Sequence, residues 1–378
     1  MKIGVPKEIK NNENRVGLVP SGVRQLVMDG HQLYIEKTAG EGIGLSDSLY
    51  VEAGATILNS LEEVYETADM IIKVKEPQPR EVALLKPRHI LYTYLHLAAD
   101  KKLTETLMKS GATSIAYETI QDPDGSLPLL LPMSEVAGRM AVQSGAKCLE
   151  ENMGGIGKLL SGVPGVEPAT VTILGGGVVG MNSAKLAAGL GAKVYILDID
   201  ASRLKYLDDI MPSNVFTLYS NQHTIQDQLP KTDLLIGAVL VVGAKAPNLV
   251  TQDMLALMNK GSVIVDVAVD QGGCVETCKP TTHAQPTFEV NGIIHYCVAN
   301  MPGSVPFTST IALANATYPY IKKIAENGLK DALSANDALL KGLNIYKGHI
   351  THKGVAQAFN MEYVSPSIAL DKKELAFN

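Results

Sequence analysis

The run Gly175-Gly176-Gly177-Val178-Val179-Gly180 narrows the possible folds more than any other feature of the chain. Alone, G-x-G-x-x-G says little, and Gly40-Glu41-Gly42-Ile43-Gly44 is a second glycine-rich run with no strand feeding it in the required way. The flanks decide the matter. An apolar strand pattern over 171–174 leads in, and a small-residue helical pattern over 178–190 leads out. A second apolar strand over 194–198 then ends on Asp198. Each part has a physical task in a strand–helix–strand unit that holds a dinucleotide. Gly175 permits the tight turn, Gly177 lets a pyrophosphate approach the backbone, and Gly180 lets the helix sit close to the sheet. The helix start offers unpaired amides and a positive dipole end to phosphate. Asp198 is placed to accept hydrogen bonds from the adenosine ribose hydroxyls, and its charge opposes a 2′-phosphate, which favours NAD over NADP. Arg203, five residues on, either softens that preference or stacks near the adenine.

The same alternation of strand and helix extends through the chain. Around the glycine motif, strands are expected over 171–174, 194–198, 215–219, 234–238, 263–267 and 294–298. Several are continuous apolar runs, as suits strands covered on both faces. An earlier series places strands at 2–5, 32–36, 70–75, 90–94 and 113–117, with helical patterns at 22–28 and 101–109. Asp122-Pro123-Asp124-Gly125 punctuates it as a turn. Ser134 reads as the N-cap of a helix running to about 152. After Met301-Pro302-Gly303 come helical patterns over 309–327 and 334–346. These final helices have no strands of their own to cover, so they are expected to return to the first series. At 378 residues the chain is too long for one core. The expected architecture is α/β: two doubly wound Rossmann-like domains with a cleft between them, the first discontinuous. A substrate and catalytic domain takes 1–133 and 307–378, and an NAD-binding domain takes 134–306.

Composition bounds the functions. An apolar fraction of 46% and a charged fraction of 19% fit packed cores and argue against long disordered tails. A net charge of −6 with no Lys/Arg block gives no electrostatic reason to bind nucleic acid or anionic lipid. Met1 leads straight into a strand pattern, which is unlike a signal peptide. The longest uncharged apolar run, 234–244, is shorter than the ~18 residues of a spanning helix. A cytoplasmic protein is expected, with Cys148, Cys274, Cys278 and Cys297 as reduced thiols. Cys274 and Cys278, with His283 nearby, make a single pair, too little for a metal centre.

A nicotinamide site also needs a substrate anchor and a proton-transfer group, both expected at strand carboxyl ends. Lys75 closes one strand, His96 follows another, and Asp270 precedes Gln271-Gly272-Gly273 after a third. Arg15 lies in the polar loop Asn11-Asn12-Glu13-Asn14-Arg15. Spacing alone does not separate these groups from solvated charges, a turn aspartate or a structural histidine.

Several longer segments carry more. They are Met1-Lys2-Ile3-Gly4-Val5-Pro6-Lys7-Glu8-Ile9-Lys10 with Asn14-Arg15-Val16, then Lys73-Val74-Lys75-Glu76-Pro77 and Tyr94-Leu95-His96-Leu97-Ala98. Asp266-Val267-Ala268-Val269-Asp270-Gln271-Gly272-Gly273 and Val298-Ala299-Asn300-Met301-Pro302-Gly303 complete the set. With the glycine turn they make the chain resemble the bacterial L-alanine dehydrogenases, of the alanine dehydrogenase/transhydrogenase N-terminal family, over nearly its whole length. The resemblance implies reversible oxidative deamination of L-alanine to pyruvate and ammonium with NAD. It implies that Arg15 and Lys75 bind the substrate and that His96 and Asp270 move protons. For NAD it implicates Ser134, Val178, Val179, Asp198, Arg203, Ser220, Val239, Leu240, Val267, Ala268, Val269, Asp270, Val298, Ala299, Asn300 and Met301, with Lys279 a further addition. It implies a homohexamer. Some members share a metal site on a late helix, but 321–327 contains no His here, so no metal is expected.

The chemistry agrees. A guanidinium fork grips a carboxylate in two bonds, a lysine polarises a keto oxygen or holds a carboxylate, and imidazole moves protons near neutral pH. Asp270 beside the ring suits balancing an imine's charge and activating water. The rivals are the NAD-binding part of a proton-translocating transhydrogenase, a saccharopine-forming dehydrogenase and a non-catalytic NAD sensor.

Overall fold

In the computed structural model, which describes residues 1–239 and 246–371, the β-branched and aromatic runs form strands because such side chains fit a pleated, covered surface. The chain divides into one unit made of Met1–Met133 with Val305–Asn378 and another made of Ser134–Ser304. In the first, β1 (Lys2–Val5), β2 (Gln32–Glu36), β3 (Thr56–Leu58), β4 (Met70–Ile72), β5 (Ile90–Thr93) and β6 (Thr113–Ala116) pair in parallel in the order β6-β5-β4-β1-β2-β3. Helices Pro20–Met28, Leu61–Thr67 and Lys101–Ser110 connect them. Ser60 and Asp100 cap the last two, accepting from Glu63 N and Leu103 N. The strand expected over 70–75 stops at Ile72. The Val74 amide turns away to Glu8 Oε1 at 2.6 Å, and Lys75 is thereby lifted out of the ladder.

The second unit is built from β7 (Thr170–Leu174), β8 (Lys193–Asp198), β9 (Val215–Tyr219), β10 (Leu234–Gly237), β11 (Val263–Asp266), β12 (Thr287–Val290) and β13 (Ile293–Tyr296). Their order is β12-β13-β11-β10-β7-β8-β9, parallel except for β12. The chain leaves β7 toward β8 and β9, then returns to β10 on the other side of β7. That reversal is where a doubly wound sheet opens a ligand crevice at its carboxyl edge. The helix Leu131–Cys148 starts three residues before Ser134, so Ser134 is inside the helix and is not its N-cap. Pro132 explains the earlier start, because its fixed φ and missing N–H suit a first turn. Within this unit, a Cβ on Gly138 would overlap the Val179 carbonyl oxygen, so the glycine lets this helix lie against Val178–Gly189.

The closing segment corrects a third expectation. The helix Pro306–Asn327 is followed by the short helices Leu329–Ser334 and Asp337–Lys341, and the expected helix over 334–346 is broken. Asn336 caps a new helix start by accepting from Leu339 N at 2.9 Å. Gly342 then lets the chain pass so close to Ile120 that a Cβ would collide, and its carbonyl accepts from Ala116 N. The chain continues as β14 (Leu343–Tyr346), antiparallel to β6, and β15 (His349–Ile350), antiparallel to β14. The tail therefore brings strands as well as helices. Ile345 and Ile350 are buried with Leu91, Leu107 and Ala116, each large side chain contributing about 1.5–3 kcal/mol of apolar burial. All four cysteines are free thiols. Among the described residues no helix is long and apolar enough to cross a membrane.

Candidate active site

In the second unit the expected nucleotide residues gather at the carboxyl ends of neighbouring parallel strands. Gly175 follows β7 with φ +100°, a conformation that only glycine adopts cheaply, and its N–H donates to Leu197 O on β8. Gly177 is the N-cap of Val178–Gly189, and open space lies where its Cβ would be. A Cβ on Gly180 would overlap the Gly175 carbonyl oxygen. Asp198 ends β8, and its carboxylate accepts from Gly176 N at 2.6 Å and Asp200 N at 2.9 Å. Arg203 Nε donates to Gly176 O at 2.5 Å while its guanidinium lies over the Tyr206 ring. Ser220 follows β9, with its N–H on Asp198 O. Val239 follows β10 and lies against Gly175, and Leu240 falls outside the described residues. These features fit a dinucleotide: glycine backbone exposed at a helix start, with an acid one strand over.

After β11, Val267 and Ala268 lead into a 3₁₀ turn, Val269–Gln271, on which Asp270 is exposed. Asp266, fully buried, ties this excursion at both ends. Its Oδ1 accepts from Ala268 N at 3.0 Å, and its Oδ2 accepts from Cys274 N at 2.7 Å and Val275 N at 3.2 Å. Burial pushes its carboxyl pKa up, and the three amides oppose that shift. Val298, Ala299, Asn300 and Met301 follow β13, with Asn300 at φ +60° and Val298 and Met301 buried. Lys279 is placed differently: exposed, with its ammonium over the Phe288 ring of the edge strand β12.

In the first unit three candidates follow three adjacent strands. Arg15 comes on the loop after β1, Lys75 after β4 and His96 after β5. Arg15 is only 2% exposed. Glu13 grips one edge of its guanidinium, Nε to Oε1 at 2.7 Å and Nη2 to Oε2 at 2.6 Å, and Nη1 reaches Met133 Sδ at 3.2 Å. Burial alone would lower the Arg15 pKa, but the bonds and charge of Glu13 turn the net shift upward. Lys75 is half-buried, and its carbonyl accepts from Thr93 Oγ1. Burial lowers its pKa, with Lys10 and Arg15 adding to the shift and Glu76 and Glu13 opposing it. His96 is exposed, and its ring stacks on Tyr94 with centroids 6.0 Å apart and planes at 10°. Tyr94 in turn donates to Leu129 O at 2.5 Å. Arg15, Lys75 and His96 lie in the first unit and Asp270 in the second.

Residues 4–137 match the family "Alanine dehydrogenase/PNT, N-terminal domain", and residues 141–353 match "Alanine dehydrogenase/PNT, C-terminal domain". The chain belongs to the alanine dehydrogenase/PNT family. It is 56% identical to an alanine dehydrogenase of Methanococcus maripaludis over 373 residues, 98% of this chain and 100% of that one. It is 55% identical to an alanine dehydrogenase of Halomonas elongata over 364 residues, 96% of this chain and 98% of the other. A solved L-alanine dehydrogenase superposes with a TM-score of 0.93 at 56% identity, covering 95% of this chain and 99% of that chain. A transhydrogenase from Sinorhizobium meliloti, with a TM-score of 0.79 at 22% identity over 93% of this chain and 99% of that one, shares the fold.

Four carboxylates organise this alanine dehydrogenase/PNT chain beyond the residues singled out by sequence. Glu13 holds Arg15, Asp266 ties the Asp270 turn, and Glu118 receives the amides of Leu95 and His96. Glu8 receives the amides of Val74 and Lys75, at 2.6 and 3.4 Å, and pairs through Oε2 with Lys73 Nζ at 2.9 Å. Lys73 also pairs with Glu81 at 2.6 Å, all three side chains lying within the core. Burial raises the Glu8 pKa against the pull of Lys73, and the two carboxylates raise that of Lys73 against burial. Glu8 and Asp266 stand in segments already quoted for their resemblance, and Glu13 in the polar loop that carries Arg15, yet no local pattern distinguishes a buried backbone-binding carboxylate from a solvated one.

Proposed function

We propose that this chain is an NAD-dependent alanine dehydrogenase that interconverts L-alanine and water with pyruvate and ammonium, using Arg15, Lys75, His96 and Asp270. The observation that carries this reading is the placing of Arg15, Lys75 and His96 at the carboxyl ends of three neighbouring strands, beside the family's match over both halves of the chain. NAD, when bound, takes up the hydride that the substrate Cα gives in the oxidation. Arg15 meets the substrate carboxylate, and Glu13 fixes the direction from which its guanidinium does so. Lys75 holds the carbonyl side of the substrate. His96 takes a proton from the water that adds to the imine carbon and returns one to the departing amine. Asp270 balances the imine's positive charge. Asp198, level with Gly176, receives the adenosine ribose hydroxyls, which selects NAD over NADP. The reading includes a cytoplasmic homohexamer, which analytical ultracentrifugation tests for assembly.

The experiment is to follow NADH loss with pyruvate and ammonium. Loss that requires both and is far slower with NADPH is the expected result. No loss with both present overturns the activity, and equal rates with NADPH overturn the role of Asp198.

A further inference from the structure

His96 adopts φ +51° and ψ +35°, in the left-handed region that disfavours residues with a Cβ. The conformation falls where β5 has ended and the chain enters the 3₁₀ turn Leu97–Ala99. One carboxylate faces this corner. Glu118 Oε1 accepts from His96 N at 2.6 Å and from Leu95 N at 3.1 Å, and Oε2 accepts from Leu95 N at 3.3 Å. The sheet explains the reach. Because β5 and β6 run parallel with Thr93 opposite Ala116, Glu118 just past β6 comes level with Leu95 and His96 just past β5. None of these bonds touches the imidazole, which stacks on Tyr94.

We infer that Glu118 is a positioning residue, whose carboxylate holds the Leu95–His96 backbone in its left-handed turn and so aims the His96 ring. This rests on the reading of His96 as the proton-transfer group. A carboxylate suits the task because it only accepts and its bonds to amides are charge-assisted. An uncommon backbone conformation persists only where its surroundings over-determine it, and here the two amide bonds supply that constraint. Without them the turn relaxes toward commoner conformations, and the ring leaves its aim while the rest of the sheet stands.

The test is a double-mutant cycle on the full chain, reading alanine turnover, NADH affinity and melting temperature for each variant. His96→Ala is expected to lower turnover about a hundredfold or more. Glu118→Ala is expected to lower it about tenfold to a hundredfold in the native background, the scale of losing bonds to a charged acceptor. In the His96→Ala background it is expected to change nothing, because a group acting through an imidazole has nothing to act on once the imidazole is gone. Glu118→Gln keeps an amide oxygen for His96 N, so a loss of only about threefold to fivefold is expected. NADH affinity stays at the native value throughout. Equal fractional losses in both backgrounds overturn the positioning role and leave Glu118 as a support of the fold, as does native turnover in Glu118→Ala. Native turnover in His96→Ala overturns the reading of His96 and this inference with it, and is seen without any Glu118 variant. If Glu118→Ala does not fold, Glu118→Gln carries the cycle, and its loss must likewise vanish without His96.

Discussion

On the proposed function, the binding surface of the second unit is mostly backbone, and that of the first is mostly charged side chains. Gly175, Gly177 and Gly180 act by having nothing beyond Cα, so that a turn closes, a ligand approaches and a helix packs. In the roles proposed for them Arg15, Lys75 and His96 act through ionisable tips, and a carboxylate bonds each residue's side chain or backbone: Glu13, Glu8 and Glu118 in turn. The contrast shows two ways of fixing a reactive surface. A backbone site is rigid because the fold itself is rigid. A side-chain site on strand ends is only as rigid as the acceptors that hold its loops, and two of these, Glu8 and Glu13, bring charge into the core.

The sharpest way to break this comparison is to give the backbone site one methyl group. Gly180→Ala puts a Cβ onto the Gly175 carbonyl oxygen, which neither the turn nor the helix can avoid without moving apart. NADH affinity by fluorescence titration is expected to fall by about a thousandfold or more, since the phosphate-facing amides and Asp198 lose their common frame. Affinity within tenfold of native would mean that the turn yields, and that the second unit is not fixed by its backbone.

The next largest effect lies in the first unit. Lys73→Met leaves Glu8 and Glu81 buried without their shared cation, at a cost of about 3–5 kcal/mol in urea unfolding at pH 7. The pH dependence follows from the Glu8 carboxyl, already raised above its ordinary 4.5 by burial. A carboxyl raised in the folded state adds stability that is complete below 4.5 and is lost as pH rises through the folded value. The variant's deficit is therefore expected to shrink as pH falls from 7 toward 4.5. A deficit constant over that range would mean that the cluster does not act through its charges.

The same contrast governs what could be read from the chain. Glycine spacing, a leading apolar strand and Asp198 lie within some 30 residues, so the second unit's site leaves a local pattern. Arg15, Lys75 and His96 come one each from separate loops, and no spacing rule joins them; strand ends and a polar loop made them candidates, and the resemblance gave them roles. The strands were legible where they were long and apolar, but Thr56–Leu58 and His349–Ile350 were too short to register. Leu343–Tyr346 was hidden because four residues after a helical pattern continue it as easily as they pair with β6, and only Gly342 marks the change. Ser134 misled because a serine before an amphipathic run suits a cap, whereas Pro132 had already begun the helix. The backbone-binding carboxylates were illegible for the opposite reason: Glu118 and Asp266 bind backbone amides, which every residue but proline offers.

The smallest expected effect sharpens the comparison most, because it asks whether the first unit's electrostatics reach the substrate. Burial lowers the Lys75 pKa from 10.5, and Lys10 and Arg15 push the same way. The ammonium proposed to hold pyruvate is thus present at low pH and is lost as pH rises through a value below that of an ordinary lysine. The KM for pyruvate is accordingly expected to climb a few-fold on the alkaline side before pH 10.5, with the KM for NADH flat over the same range because the glycine turn has nothing there to titrate. Lys75→Arg keeps its charge to far higher pH. It is expected to raise KM a few-fold near neutrality, since a planar fork replaces a point charge, and to abolish the alkaline climb. Steady-state assays from pH 7 to 10.5 on both proteins decide it. A climb that persists in Lys75→Arg assigns the titration to another group, and a matching climb in the KM for NADH would make the two surfaces alike after all.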